Sequence, residues 1–293
     1  MLELNEKLIR KGKAVGLPYV GSKKKISKKI AQIIAQNFGT DKPVYDLFGG
    51  GGAVSLELKL NGFNDVHYNE LDDMTFSAFQ TALYDDFDVR DLIVTRDEFF
   101  KIRDSNHGGF DELSLMVNSF GNDRNSYLYS KLMSEVKTKL AKKIVWEESN
   151  WRQYKQTETY ISSKIERIEQ IQQIERIQQI ERIQQVKNND LKCTNFDYKY
   201  FDDLDGTILY LDPPYEQSTN KYKLGNFDSS GFYDWAYEMS KRNTVIISSY
   251  EVSDKRFEHV FEFKSARSSL SAQGKGNRTE KLFMVKQGVN FLC

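Results

Sequence analysis

Asp212, Pro213, Pro214 and Tyr215 carry the clearest chemical signal in this chain of 293 residues. They follow an apolar run at 207–211 (TILYL), which predicts a buried strand. A carboxylate and the Pro213 carbonyl, held by a rigid Pro-Pro turn, would accept both hydrogens of an exocyclic amine on a nucleobase. Such an amine becomes nucleophilic, and Tyr215 offers a flat face for an extruded base. The alternative is an ordinary Pro-Pro turn with Asp212 as a capping residue.

A second segment combines a strand, a glycine run and a helix. Residues 43–48 (PVYDLF) predict a strand, four glycines follow at 49–52, and residues 53–60 (AVSLELKL) predict a helix. Glycines at such a turn let a ligand approach the backbone. A further strand at 65–69 ends at Glu70, where nucleoside-binding α/β folds hold a ribose. The sequence therefore indicates a nucleoside-containing ligand near the Asp212 turn.

These segments together resemble the Dam-type adenine-N6 DNA methyltransferases, also called the D12 class, over most of the chain. The matching segments are 18–23 (PYVGSK), 46–52 (DLFGGGG), 69–72 (NELD), 118–127 (NSFGNDRNSY), 195–197 (NFD) and 212–215 (DPPY). Glu70 stands where the family often has Asp. The resemblance implies an α/β fold with a doubly wound, mostly parallel sheet whose last strand is reversed.

The resemblance also implies S-adenosyl-L-methionine as cofactor and a role for each matching residue. The implied cofactor-binding residues are Tyr19, Lys23, Asp46, Phe48, Gly49, Gly50, Glu70, Phe196, Asp197 and Asp212. Tyr19 and Lys23 would border the methionine end, and Glu70 would bind the ribose. Phe196 and Asp197 would flank the cofactor adenine. The implied catalytic residues, which would hold a flipped-out adenine during direct methyl transfer to N6, are Asp212, Pro213, Pro214 and Tyr215.

Two loops are predicted to contact double-stranded DNA. The first, at 118–127, mixes amide, guanidinium and aromatic side chains that suit phosphates and base edges. The second, at 268–278, is basic and rich in Gly and Ser. The predicted DNA-binding residues are Asn118, Asn122, Arg124, Asn125, Tyr127, Lys275 and Arg278. In the alternative interpretation, the first loop is merely polar, with Phe120 and Tyr127 in the core, and the second is merely flexible.

Composition is compatible with this function but would not reveal it. The net charge of +0 argues mildly against nucleic-acid binding, but basic residues crowd 7–29, so a basic face remains open. Three histidines form no metal-ligand pattern, and zinc-deaminase and phosphate-loop signatures are absent. Two distant cysteines, no apolar membrane segment and no secretory signal predict a cytoplasmic protein.

The order of the segments predicts a core with one insertion. Residues 1–90 and 191–293 would form the methyltransferase core, and residues 91–190 a mainly helical target-recognition region. We expect a monomer rather than a dimer, and the resemblance leaves open a restriction endonuclease partner. The alternative functions are a relative that acts on RNA adenine or another amine, and a non-catalytic DNA-binding protein.

Near-identical IERIQQ units at 165–185 place Ile at every third position. Their composition favours a helix, but a spacing of three moves each Ile about 60° around it, because an α-helix has 3.6 residues per turn. We interpret the segment as a repeat-expanded spacer. Two alternatives remain: packing of the apolar stripe against the insertion and the core, or pairing of the stripe with another chain.

Overall fold

A computed structural model describes residues 1–163, 170–186, 190–216, 227–263 and 279–286. Its helices are α1 (Ser27–Phe38), α2 (Ala53–Leu60), α3 (Asp73–Tyr84), α4 (Arg96–Arg103), α5 (Gly109–Asn118), α6 (Lys131–Glu147), α7 (Glu158–Ser163), α8 (Gln172–Gln184) and α9 (Ser229–Ser240). Its strands are β1 (Val44–Asp46), β2 (Val66–Asn69), β3 (Lys192–Thr194), β4 (Ile208–Leu211), β5 (Thr244–Ser249), β6 (Phe257–Glu262) and β7 (Lys281–Val285).

The seven strands form one sheet in the order β3-β2-β1-β4-β5-β7-β6. Neighbours from β3 to β5 pair in parallel, whereas β7 runs antiparallel to both β5 and β6. The prediction of a mostly parallel α/β sheet with a reversed last strand is therefore confirmed. The carboxyl ends of β1, β2 and β4 meet at one edge, where open α/β sheets bind ligands.

Both faces of the sheet are covered by helices. One face packs against α1, α2 and α3, and its apolar core continues into the helical region. The opposite face packs against α9 and the 3-10 turn Tyr198–Phe201. Residues along β4 alternate between the two cores, as the period of two in a strand requires: Tyr210 belongs to the first and Leu211 to the second.

Local chemistry determines where α2 and α3 begin. Gly52, before α2, has φ 72, and a Cβ there would lie 2.0 Å from the Phe79 ring, so only glycine fits. Asp72 caps α3 by accepting hydrogen bonds from the backbone N–H of Met74 and Thr75. These two starts fix both loops that follow β1 and β2, and thus the edge of the sheet.

Between β2 and β3 the described residues form helices and 3-10 turns, with one isolated antiparallel bridge between Ser119 and Tyr127. The predicted helical character of this region is thus seen, from α4 to α8. Many of its apolar side chains belong to the same core as those of the sheet, with α3 packing against α5 and α8, and a separate cluster lies around Phe99, Leu115 and Tyr127. A functional division at residues 91–190 remains a proposal.

The repeat is not a spacer in its described part. Ile171, Ile174, Ile177, Ile180 and Ile183 are all fully buried. Isoleucines on every side of α8 can be buried because neighbours surround the helix. These neighbours are α3, α5, α6 and the 3-10 turns Val89–Leu92 and Trp151–Gln156. The spacer interpretation is therefore wrong here, and the alternative of packing against the insertion and the core is confirmed. The units at 164–169 lie outside the described residues.

Arg176 of the repeat caps the carboxyl end of α5. Its Nη1 donates to the backbone carbonyls of Met116, Val117 and Ser119 at 3.2, 2.9 and 2.6 Å. A cation at a helix carboxyl end satisfies carbonyls that have no intrahelical partner and complements the helix dipole. Burial lowers the pKa of Arg176 to about 10, so the guanidinium stays charged at neutral pH. The repeat thus fixes the start of the 118–127 loop.

No helix in the described part of the chain is both long enough and apolar enough to cross a membrane.

Arg176→Met should lower the free energy of unfolding by about 1–3 kcal/mol, because buried carbonyls lose their donor. Urea unfolding followed by circular dichroism measures this. The control is Arg152→Met, since the Arg152 side chain is 61% exposed and pairs with Glu181 at the surface. That variant should lose less than about 1 kcal/mol. Equal losses in the two variants would contradict the capping role of Arg176.

Candidate active site

A cavity of about 510 Å³ lies at the carboxyl ends of β1, β2 and β4. It is lined by the segment 19–23, the glycine turn after β1, the end of β2, residues 196–199 and the loop after β4. The sequence-predicted cofactor and catalytic residues all lie in this lining. The sheet therefore brings together segments that are up to about two hundred positions apart in the chain.

Residues in β2 and directly after it hydrogen-bond to the glycine turn. The Gly50 N–H donates to Glu70 Oε2 at 2.7 Å, and the Tyr68 hydroxyl donates to the Gly50 carbonyl at 2.7 Å. A Cβ at Gly49 would lie 2.3 Å from the Tyr68 ring. The glycines are therefore needed for packing within the chain as well as for access to the cavity. Burial raises the pKa of Glu70, although backbone N–H donors oppose the rise.

Asp46, at the end of β1, offers an unused acceptor. Its Oδ2 accepts a hydrogen bond from Ser55 Oγ at 2.6 Å, while its buried Oδ1 has no hydrogen-bond partner among the described residues. Burial raises the pKa of Asp46 to about 7. A buried oxygen without a hydrogen bond costs free energy, so this atom is a candidate acceptor for a donor group of a ligand.

Phe196 forms an aromatic wall of the cavity, and Asn69 holds it in place. Asn69 Nδ2 donates to the Phe196 carbonyl at 2.9 Å, and the Phe196 N–H donates to Asn69 Oδ1 at 3.0 Å. The Phe196 ring stacks on Tyr200 with centroids 4.2 Å apart. Asn69 belongs to the segment that suggested the family, but its holding role was not predicted.

Lys23 lies beside the predicted catalytic carboxylate. Its Nζ donates to Asp212 Oδ1 at 2.6 Å and to the Tyr215 hydroxyl at 2.9 Å. The ammonium also lies 5.1 Å from the centroid of the Tyr215 ring. Lys23 lines the cavity and its direct partner is Asp212, while its role beside the methionine end of the cofactor stays a prediction.

Glu280, immediately before β7, is the site residue that sequence reasoning missed. Its Oε1 lies 3.6 Å from Lys23 Nζ and accepts a hydrogen bond from Ser248 Oγ at 2.9 Å. Its Oε2 accepts a hydrogen bond from the Tyr215 hydroxyl at 3.2 Å. A single Glu before a strand carries no recognisable spacing, so only the reversed pairing of β7 with β5 reveals its position.

The two members of the Lys23–Asp212 pair respond differently to their surroundings. Burial alone would lower the pKa of Lys23, but Asp212 and Glu280 together raise it above its usual range. Burial raises the pKa of Asp212 to about 6, and Glu280 adds to the rise, although Lys23 opposes it. One ammonium faces two carboxylates, so Lys23 stays charged, whereas the negative charge of Asp212 is only partly compensated.

The predicted DNA-binding residues separate into three groups. Asn118 and Tyr127 are buried, so neither is available to DNA in this conformation. Asn118 Nδ2 donates to the Leu92 and Ser114 carbonyls, and the Tyr127 hydroxyl donates to the Val94 carbonyl. The alternative interpretation had placed both Tyr127 and Phe120 in the core, and Phe120 is instead 67% exposed.

The remaining loop residues lie nearer the surface. Asn122 and Arg124 both have positive φ, at 60 and 63. Arg124 pairs with Asp72 at 3.2 Å and with Glu112 at 3.4 Å, and Asn125 is exposed. Lys275 and Arg278 lie outside the described residues.

Comparison with known proteins identifies the family. The family model for D12 class N6 adenine-specific DNA methyltransferases matches residues 19–266. No curated protein matches the chain. Solved structures that match include the candidate methyltransferase yhhF from Escherichia coli, with 10% identity, 92% of this chain and 91% of that chain covered, and a TM-score of 0.37. Another is a candidate methylase from Haemophilus influenzae, with 8% identity, coverage of 89% and 96%, and a TM-score of 0.33.

No group of side chains within the described ranges is arranged to hold a metal ion.

Asp212→Asn should gain stability relative to the wild type as pH rises from 4 to 7. The folded-state pKa of Asp212 is about 6, above its ordinary value of 3.8. Protonated Asp212 therefore contributes fully to the stability of the folded state below pH 3.8, and this contribution is lost as pH rises through 6. Asparagine stays neutral throughout. Urea unfolding at several pH values measures the difference between the two proteins. A variant that becomes relatively less stable with rising pH would show that Lys23 dominates the ionisation of Asp212.

Proposed function

The chain belongs to the D12 class of N6 adenine-specific DNA methyltransferases, and we propose that the cavity at the strand ends is where it carries out this reaction. S-adenosyl-L-methionine and a flipped-out adenine of double-stranded DNA would share the cavity. The observation that supports this most strongly is that Asp212 lies in the same lining as every predicted cofactor-binding residue.

The cavity residues fit S-adenosylmethionine. The unpartnered Oδ1 of Asp46 would accept a hydrogen bond from its amino group, and Glu70 at the tip of β2 would accept from the ribose hydroxyls. Phe196 would stack on its adenine, and Tyr19 would border its methionine part. When bound, this cofactor supplies an electrophilic methyl group on a sulfonium sulfur, which leaves with the electrons of the carbon–sulfur bond.

Asp212 would make the target amine nucleophilic. Its Oδ1 is held by Lys23, and its Oδ2 accepts no hydrogen bond from the described residues, which leaves that oxygen for an N6 hydrogen. The Pro213 carbonyl would accept the second hydrogen, and the Tyr215 ring would stack on the base. With a pKa of about 6, Asp212 is mostly ionised at neutral pH and basic enough to take the proton that N6 loses. Catalysis would thus rest on positioning and electrostatics.

The helical region at 91–190 would read the DNA site from the loop at 118–127. Asn122, Arg124 and Asn125 remain the proposed contacts from this loop, together with Lys275 and Arg278. Arg124 would have to exchange Asp72 and Glu112 for a phosphate or a base edge, which is a favourable site for a guanidinium. We propose that the protein acts as a monomer.

Transfer of labelled methyl from S-adenosylmethionine to unmethylated genomic DNA tests the proposal. N6-methyladenine at a short defined site is the expected product. Asp212→Ala should lower kcat by about 10²–10³-fold and leave cofactor binding largely intact. Near-wild-type turnover of that variant would remove Asp212 from the mechanism. A folded wild-type protein that binds the cofactor and transfers only to RNA, or to nothing, would support the alternatives of an RNA enzyme or a non-catalytic relative.

Phe196→Ala should weaken binding of S-adenosylmethionine by roughly tenfold or more, because stacking on a base contributes about 1–3 kcal/mol. The matched control is Tyr200→Ala, since Tyr200 is 68% exposed and stacks on Phe196 from outside the cavity lining. Its effect should be clearly smaller. Isothermal titration calorimetry measures both. Equal losses, or no loss for Phe196→Ala, would place the cofactor adenine elsewhere.

A further inference from the structure

Glu280 occupies a position that the proposed mechanism does not use. It reaches the site from the start of β7, and its carboxylate faces Lys23 from a distance of 3.6 Å, against 2.6 Å for Asp212. The side chains of all three residues are largely buried, with 9%, 17% and 4% exposed for Lys23, Asp212 and Glu280. A buried carboxylate next to a catalytic one raises the energy of the charged state, so its placement requires a physical reason.

The geometry of Glu280 is fixed by two hydroxyl donors. Ser248 Oγ on β5 donates to its Oε1, and the Tyr215 hydroxyl donates to its Oε2. Lys23 in turn donates to the same Tyr215 hydroxyl at 2.9 Å. Glu280 therefore holds the ring of Tyr215 and the ammonium of Lys23 at the same time, and each of its oxygens has a donor.

The charge balance of this cluster explains its arrangement. With all three groups ionised, two carboxylates share one ammonium, and one negative charge remains uncompensated. If Lys23 had Asp212 as its sole partner, the pair would be neutral and Asp212 would be a weaker acceptor. Because Glu280 takes part of the positive charge, the cluster keeps a net negative charge beside the atom where positive charge appears during methyl transfer.

We propose that Glu280 is a positioning residue for methyl transfer: it shares Lys23 with Asp212, so the ionised Asp212 carboxylate stays basic enough to bind and activate the target amine. This inference rests on the proposed role of Asp212. Glu280 acts through Lys23 and Tyr215 and does not itself touch the substrate.

Glu280 should affect the pH dependence of the reaction through Asp212. The titratable and charged groups that face Asp212 are Lys23, Asp46, Tyr210, Tyr215 and Glu280. Lys23 lowers the pKa of Asp212, and Glu280 raises it. Loss of the charge on Glu280 should therefore lower the pKa of Asp212, both by removing a like charge and by leaving Lys23 to Asp212 alone.

Glu280→Gln tests the proposal because it removes the charge and keeps the size and an acceptor oxygen. We expect kcat to fall by roughly tenfold to a hundredfold. The acid limb of the profile of kcat against pH should move to lower pH by about one unit. Cofactor affinity, measured by calorimetry, should stay within about twofold of the wild type, which shows that the fold and the cofactor site are intact.

The control is Glu57→Gln on α2. Glu57 is also a buried glutamate with a cationic partner at 2.9 Å, but that partner is Arg10 and not Lys23. That variant should lose stability without moving the acid limb. An acid limb that stays in place, or a kcat that does not fall, in Glu280→Gln would overturn the role of Glu280. If Asp212→Ala retains turnover, the proposed function of Asp212 fails first, so the two failures are distinguishable.

Discussion

The buried ammonium of Lys23, shared between two carboxylates, is the interaction on which the site depends. Removing three charged groups from water is expensive, and their mutual attraction offsets the cost only with good geometry and additional hydrogen bonds. Lys23 donates to Asp212 and Tyr215, while Ser248 and Tyr215 supply donors to Glu280. The cluster therefore requires that the segment 19–23, the loop after β4 and the start of β7 meet, which is what the sheet provides.

The rest of the fold maintains that meeting point. Glycine at 49 and 52 lets the turn after β1 pack against Tyr68 and Phe79, and Glu70 binds the Gly50 N–H. Farther away, the repeat helix contributes to the same core and holds the carboxyl end of α5 through Arg176. An arginine that donates to three carbonyls at a helix end fixes the start of the loop proposed to read DNA. The core that holds the repeat helix thus supports the glycine turn as well as the start of that loop.

The parts predictable from sequence are those whose signal is local. The strands around Leu209, Val245 and Phe283, helix 53–60, the glycine turn and the Asp212 turn all have short-range patterns, and each is present in the structure. The glycine turn, the start of helix 53–60 and the Asp212 turn lie in one cavity lining. Glu280 was missed because its partners come from remote segments. The repeat was misinterpreted because a period of three implies exposure only for a helix that is not enclosed. Asn118 and Tyr127 have side chains of types that often contact DNA, but both are buried in the structure and bind other parts of the chain.

Asp212 has a raised pKa although its carboxylate contacts the Lys23 ammonium. The most direct test is the ionisation of Asp212, followed by carbon-13 NMR of labelled aspartate carboxyls and assigned with Asp212→Asn. The account predicts a titration midpoint near pH 6, because burial and Glu280 outweigh the single ammonium. A midpoint at or below the ordinary aspartate value of 3.8 would contradict it. Lys23 would then dominate the ionisation of Asp212, and Glu280 would not take a share of the ammonium's charge.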